Sequence, residues 1–206
     1  MTDSDLPKWE TNSSEYLVND RWIKLRADSC TTPDGHVIEP YYVLEYSDWA
    51  ACFVIDENLD VLMINNYRQG AGRYVTEFVS GVIEVSDDSE LEGMKRELEE
   101  EIGYTGGQIH KIGLSYPNPS NQTNKLHSFF AVGGAITQEH QREKGETMET
   151  VRIPLRNAIA MMQNPDSDTL YQSMHLATLF MALSFIKRSD LPELQEIKDV
   201  LGEERW

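Results

Sequence analysis

Basic side chains are scarce in this chain. Eighteen Lys and Arg face 35 Asp and Glu, which leaves a formal net charge of -17 at pH 7. A broad surface for DNA, RNA or anionic lipid needs Lys and Arg against phosphate, so the charge balance argues against one. A small phosphate-bearing substrate stays compatible, provided that cations mask the acids first. Cysteine is nearly absent: Cys30 and Cys52 form no CxxC pair and cannot build a disulfide framework, so two reduced, buried thiols are expected. No apolar run approaches the ~18 residues that span a bilayer, and the longest, near 176–186, reads as a core helix. The opening Met-Thr-Asp-Ser-Asp-Leu-Pro lacks the basic and apolar regions of a signal peptide, so a soluble cytoplasmic protein with no membrane partner is expected. The five histidines (36, 110, 127, 140 and 175) show no metal-ligand spacing, and His127 reads as a structural histidine within a strand.

What is present suffices for a core. The chain has 206 residues, 40% of them apolar, which suits one full domain or a domain with a small annex. Residues 1–14 are polar and are expected to fray. Strand-like patterning runs from Glu15 to about Tyr46 and is split by Pro33-Asp34-Gly35, a turn in which Pro presets φ and Gly permits φ > 0. Trp49–Ile55 reads as a buried strand, Asp56-Glu57-Asn58 as a turn, and Leu59–Tyr67 as the returning strand of a hairpin. Tyr74–Ile83 is a further β segment, followed by a helix and by strands at about 108–116 and 126–132. After a polar loop (137–148) come a strand at 149–153, a helix over 155–163 introduced by Pro154, and a longer helix at about 167–187. This order predicts an α+β class, an α/β/α sandwich with a mixed sheet between helices and an N-terminal antiparallel annex. The expected divisions are 1–47 (annex), 48–190 (main domain) and 191–206 (charged tail).

The densest charge lies on the helix after residue 89. Ser89-Glu90-Leu91-Glu92 reads as a capping box and Gly103 as the helix stop. Leu91, Met94, Leu98 and Ile102 make one apolar stripe. At about 100° per residue, Glu97 and Glu101 lie about 40° apart, and Glu100 lies about 60° to the other side of Glu97. These three share a flank beside the stripe, Glu99 points away, and Arg96 borders the flank one turn before Glu100. Three like charges so close repel one another and weaken a bare helix. Hard divalent cations such as Mg²⁺ or Mn²⁺ favour carboxylate oxygens and would offset that cost.

Arg96-Glu97-Leu98-Glu99-Glu100-Glu101-Ile102-Gly103-Tyr104 resembles the second half of the Nudix box, GX5EX7REUXEEXGU with U a bulky apolar residue, and fits it at every specified letter. Gly81 is the opening glycine. Asp87 stands at the first acidic position, a Glu-to-Asp change, and eight residues rather than seven separate it from Arg96. Asn66-Tyr67-Arg68-Gln69, followed by Glu77-Phe78-Val79-Ser80-Gly81, resembles the corresponding stretch of ADP-ribose and nucleoside-diphosphate-sugar pyrophosphatases. Pro119 lies 16 positions past Gly103, where that subgroup commonly has a proline. The N-terminal strands are similar as well.

The resemblance implies a Nudix-fold hydrolase that splits the diphosphate of nucleoside-diphosphate sugars into a nucleoside monophosphate and a sugar phosphate. Carried over by position, Glu97, Glu100 and Glu101 would bind Mg²⁺ or Mn²⁺ together with the backbone carbonyl of Ser80, and Glu77 would serve in or beside that set. Arg96 would hold Glu97 by a charge-assisted hydrogen bond, and Arg68 would present its planar fork to substrate phosphates. A loop carboxylate, Glu146 or Glu149, would act as general base. Asn121 lies in the loop Pro117–Lys125, which would shape the sugar pocket. There the subgroup's acidic Ser-Asp-Glu is replaced by Ser120-Asn121-Gln122, which favours looser sugar choice. Trp22, Tyr46 and Trp49 would stack on the nucleobase, and the annex implies a homodimer. A MutT-type triphosphate hydrolase and a non-catalytic nucleotide-sugar-binding regulator are the competing readings.

The acidity is uneven. Residues 84–101 hold nine acids against Lys95 and Arg96, a local balance of -7, and the remaining -10 reads as solubility.

Overall fold

The computed structural model describes residues 6–137, 148–164 and 172–202. It divides into two compact units: the residues up to Ser47 with Tyr116–Lys125, and Asp48–Ser115 with the residues from Leu126 onward.

The first unit is a three-stranded antiparallel sheet of β1 (Glu10–Asn19), β2 (Lys24–Thr31) and β3 (Val37–Glu45), in that order. Asp20 shapes the first turn, its Oδ1 accepting from the backbone N–H of Trp22 at 2.7 Å and of Ile23 at 2.9 Å. The Pro33-Asp34-Gly35 turn forms as expected, with Gly35 at φ 85. The expectation of a frayed stretch to residue 14 is corrected, because β1 already begins at Glu10. Its polar side chains suit a strand exposed along its whole length, and they bond across it: Asn12 Nδ2 donates to Thr31 Oγ1 at 3.0 Å. The segment 116–125, expected within the main domain, belongs to this first unit. Leu44 donates to the Asn121 carbonyl at 2.7 Å, Thr123 donates to the Leu44 carbonyl at 3.1 Å, and the Tyr41 hydroxyl donates to the Ser120 carbonyl.

The second unit is built on a seven-stranded mixed sheet. Its path runs β12 (Glu149–Pro154), β5 (Asp60–Arg68), β4 (Trp49–Ile55), β10 (Leu126–Val132), β9 (Gln108–Ser115), with only β4 and β10 parallel. Alternation along the central strands explains the layering. Phe53, Ile55, Val61, Met63, Phe130 and Val132 face α2 (Leu155–Gln163), α3 (Ser173–Arg188) and α4 (Gln195–Leu201). Ala50, Cys52, Val54, Leu62, Ile64, Phe129 and Ala131 face α1 (Glu90–Ile102). The α/β/α sandwich expected from the sequence is therefore the observed one. The segment from 191, expected as a charged tail, contributes Leu194 and Ile197 to the first of these cores. Their burial follows from the short helical turn Pro192–Leu194 and α4, which turn one apolar edge inward.

The expected hairpin of β4 and β5 is short. The two strands pair only at Val54↔Leu62 and Ile55↔Val61 and then part. The segment expected as one strand at 74–83 is two, β6 (Arg73–Glu77) on β5 and β7 (Val79–Val82) on β4. Each strand of the opening fork thus finds its own partner, and the chain crosses from one to the other at Phe78, which is fully buried. This crossing places Glu77 and Gly81 in the second unit with α1. A small pair, β8 (Tyr104–Thr105) with β11 (Ala135–Ile136), follows α1.

Candidate active site

The ends of α1 set the position of its acids. The Ser89 side chain accepts from Glu92 N–H at 3.2 Å, and Gly103 adopts φ 64 as the cap that closes the last turn. Glu92 does not complete a capping box, because its carboxylate takes Lys95 Nζ at 2.8 Å. Met94, Leu98 and Ile102 are fully buried against β4 and β10, and this stripe fixes the rotation of the helix. Glu97 and Glu100 consequently share a flank, while Glu101 is buried at 8% exposure and Glu99 is exposed. Gly81 lies directly under Glu97: a Cβ there would fall 2.0 Å from Glu97 Cδ, so a glycine is needed for the carboxylate to occupy this place.

Arg96 is the hub of the flank. Nε and Nη2 donate to Asp87 Oδ1 and Oδ2 at 3.1 and 3.2 Å, and Nη2 also donates to the Val82 carbonyl at 3.0 Å. Nη1 donates to Glu97 Oε1 and Glu100 Oε2, both at 2.9 Å. All five N–H groups of the guanidinium are thereby used. The Asp87 hydrogen bonds, ahead of the charge of Glu97, raise the Arg96 guanidinium above its ordinary value. Reciprocally, Arg96 holds the Asp87 carboxyl below the usual carboxylate range.

A second cluster sits at the fork. Glu77 is fully buried, and Arg68 grips its Oε1 through Nε at 2.8 Å and Nη2 at 2.5 Å. Gln172, at the start of α3, donates to Glu77 Oε2 at 2.6 Å. Burial pushes the Glu77 carboxyl up, and Arg68 and Gln172 pull it back only in part. His175 lies one turn further along α3, fully buried, with its ring 5.7 Å from that of Phe78. Neither ring nitrogen has a hydrogen-bond partner among the described residues. Burial, followed by the charge of Arg68, drives the imidazole down to about 3.

The remaining sequence candidates are dispersed. Ser80 lies in β7 opposite Ala51, beside Gly81. Glu149 opens β12, exposed and opposite Asn65, while Glu146 lies outside the described residues. Trp49 opens β4 and is partly buried. Trp22, Tyr46 and Asn121 belong to the first unit. Trp22 is 73% exposed with the Arg21 guanidinium 4.0 Å above its ring. Asn121 is committed to its own loop, its side-chain oxygen accepting from Asn118 at 2.7 Å. Three contributors escaped sequence reasoning. Gln172 lies 95 residues from the Glu77 that it bonds, a separation that no local motif signals. Asp48 pairs with His127 Nε2 at 3.1 Å, 79 residues apart. Gly93 carries a signal, a glycine inside a helix-forming run.

The flank fits a divalent cation by chemistry: Glu97, Glu100 and Glu101 supply carboxylate oxygens, which are hard donors, and the missing Cβ of Gly81 gives the Glu97 carboxylate its place. Among the described residues no three His, Cys, Asp or Glu side chains form a ready cation cage. The Arg96 guanidinium takes one oxygen of Glu97 and one of Glu100.

The chain is similar to known proteins over most of its length. The model of the nucleoside diphosphate sugar hydrolase N-terminal domain matches residues 9–44, and that of the NUDIX domain matches residues 46–174. The chain belongs to the Nudix family. It is 25% identical to an ADP-ribose pyrophosphatase of Bacillus subtilis (strain 168) over 171 residues, which cover 81% of this chain and 91% of that one. It is 31% identical to a GDP-mannose pyrophosphatase of Yersinia enterocolitica over 164 residues, 73% of this chain and 84% of the relative. Among solved structures, an ADP compounds hydrolase superposes with a TM-score of 0.75 at 20% identity, covering 88% of this chain and 96% of that one, which establishes the shared fold.

Proposed function

We propose that this chain hydrolyses the diphosphate bond of nucleoside-diphosphate sugars, of the ADP-ribose and GDP-mannose kind, to a nucleoside monophosphate and a sugar phosphate. The observation that carries the reading is the α1 flank: Glu97 and Glu100 held by Arg96, with Glu97 seated over Gly81 and Glu101 buried one turn beyond Glu97. The names of the relatives, pyrophosphatases of ADP-ribose and of GDP-mannose, support the substrate class. Glu97, Glu100, Glu101 and the Ser80 carbonyl would hold Mg²⁺ or Mn²⁺. A divalent cation bound there supplies neutralisation of the diphosphate charge and acidification of water.

The chain's own residues do the rest. Arg96 keeps two of the carboxylates aimed from one side. Glu77 acts through Arg68, fixing the fork of a guanidinium whose side chain is 40% exposed and so open to a phosphate. Water attacks one phosphorus, the bridging P–O bond breaks, and Glu149 or Glu146 accepts the water proton. The nucleobase is assigned to aromatic stacking, with Trp22 the most exposed of the three candidates, Trp22, Tyr46 and Trp49. We further propose a cytoplasmic homodimer. It is supported by the exposed Trp9, Tyr16, Leu17 and Val18 along or beside β1, an outer strand. No helix among the described residues is long and apolar enough to cross a membrane.

The test is phosphatase-coupled phosphate release from ADP-ribose, GDP-mannose, other nucleoside-diphosphate sugars and nucleoside triphosphates, with Mg²⁺, Mn²⁺ or EDTA. Cation-dependent release from the sugars is expected. Preference for triphosphates would point instead to a MutT-type enzyme, and no turnover of any compound to a regulator that binds nucleotide sugars.

A further inference from the structure

The Nudix box of this chain contains a residue too many, and the two ends of the motif disagree about which acid is meant. Counted from Gly81, the first acidic position is Asp87; counted back from Arg96, it is Asp88. The geometry distinguishes them. Asp87 has a side chain only 7% exposed and meets Arg96 along the edge of the guanidinium, at 3.1 Å to Nε and 3.2 Å to Nη2. Its Oδ2 also accepts from Glu84 N–H at 2.8 Å, which closes the loop ahead of α1. Asp88 is exposed.

Gly93 makes this seat possible. It is buried in the first half of α1, and a Cβ built on it would lie 2.6 Å from Asp87 Oδ2 and 3.2 Å from Cγ. A glycine inside a helix costs about 1 kcal/mol relative to alanine, and here the cost has a counterpart, since only a residue without a side chain admits the carboxylate. The consequence reaches the acids. With Nε and one Nη2 hydrogen on Asp87 and the other Nη2 hydrogen on the Val82 carbonyl, the orientation of the guanidinium is set. Nη1 is then left facing Glu97 and Glu100.

We propose that Asp87, seated against Gly93, is a positioning residue of the cation site: it fixes Arg96, and through Arg96 the carboxylates of Glu97 and Glu100. The Glu-to-Asp change, the inserted residue and Gly93 are one compensated unit, a shorter acid brought closer by a longer loop and received by an absent side chain. This proposal rests on the reading of the α1 flank as a divalent-cation site.

The experiment uses the full chain without substrate. Mn²⁺ binding is titrated by the electron paramagnetic resonance of the free ion for wild type, Asp87→Asn, Asp88→Asn, Gly93→Ala and the Asp87→Asn/Gly93→Ala double variant, with circular dichroism of each. Asp87→Asn and Gly93→Ala are each expected to raise the Mn²⁺ Kd about tenfold or more with the fold retained. Asp88→Asn should stay within about twofold of wild type, as for an exposed charge. Because the two changes act on one contact, the double variant should be little weaker than either single one. Wild-type Mn²⁺ affinity in both single variants, an equal loss in Asp88→Asn, or additive losses in the double variant would each overturn the proposal. A wild-type chain that binds no Mn²⁺ would overturn the cation-site reading itself.

Discussion

Gly81 and Glu97 test the site at its smallest scale. An alanine at 81 would place Cβ 2.0 Å from Glu97 Cδ, inside any tolerable contact. The obstructed group is the far end of a flexible side chain, so the fold should survive while the carboxylate moves by about an ångström. Displacement of that size costs on the order of 10²-fold in rate. Gly81→Ala is thus expected to lose about two orders of magnitude in turnover with little change in thermal midpoint; near-normal turnover would refute the placement of Glu97. His175 makes a different prediction. Its folded value, about 3, lies below the ordinary value of 6.5, so the unfolded chain takes up the proton first as pH falls. The stability contributed by keeping it neutral is full above 6.5 and is lost progressively down to about 3. His175→Phe keeps the ring beside Phe78 and removes the titration. The variant should gain about 2 kcal/mol relative to wild type between pH 7 and pH 5 in urea unfolding, and an unchanged difference would contradict the burial argument. The acidic flank of α1 was legible in the sequence because a helix of known period puts Glu97, Glu100 and Glu101 on one flank. The union of Glu77 with Arg68 and Gln172 was not, since its partners come from β5, β6 and the start of α3, and only tertiary folding joins them.

Among the elements, α1 carries the greatest burden, because its rotation and its start both aim the acids. Its first turn depends on the Ser89 cap. Ser89→Ala is expected to cost about 1 kcal/mol in urea-induced unfolding, and a change indistinguishable from zero would show that the Asp87–Arg96 contact alone holds the start of the helix. How well each element could be read follows from its environment. β4 and β10 have the bounds that their apolar runs predict, because both faces of each are buried. The onset of β1 was missed because an exposed strand has no apolar alternation to display. The break between β6 and β7 was missed for another reason: only Phe78 separates the two strands, with no turn residue, and the change of partner strand leaves no mark in hydropathy.

At the scale of the whole molecule, the net charge of -17 has a local focus on 84–101. A cation bound there should stabilise the fold by mass action, by about 2.7 kcal/mol at a concentration 100 times its Kd. Mn²⁺ or Mg²⁺ should therefore raise the thermal midpoint well beyond NaCl of equal ionic strength, which only screens. Equal effects of the two salts would mean that the acids serve solubility alone. The exposed aromatic and aliphatic side chains of β1 belong to the same scale: sedimentation at micromolar concentration should give the mass of two chains, and a monomer would refute the homodimer. The most direct test of the proposed chemistry is the release of nucleoside monophosphate from ADP-ribose and GDP-mannose at fixed Mg²⁺, by wild type and by Glu101→Gln. Turnover by wild type that vanishes in EDTA and falls at least ~10²-fold in a folded Glu101→Gln variant is the predicted result. Wild-type rates in Glu101→Gln would contradict the assignment of the α1 flank as the site of hydrolysis.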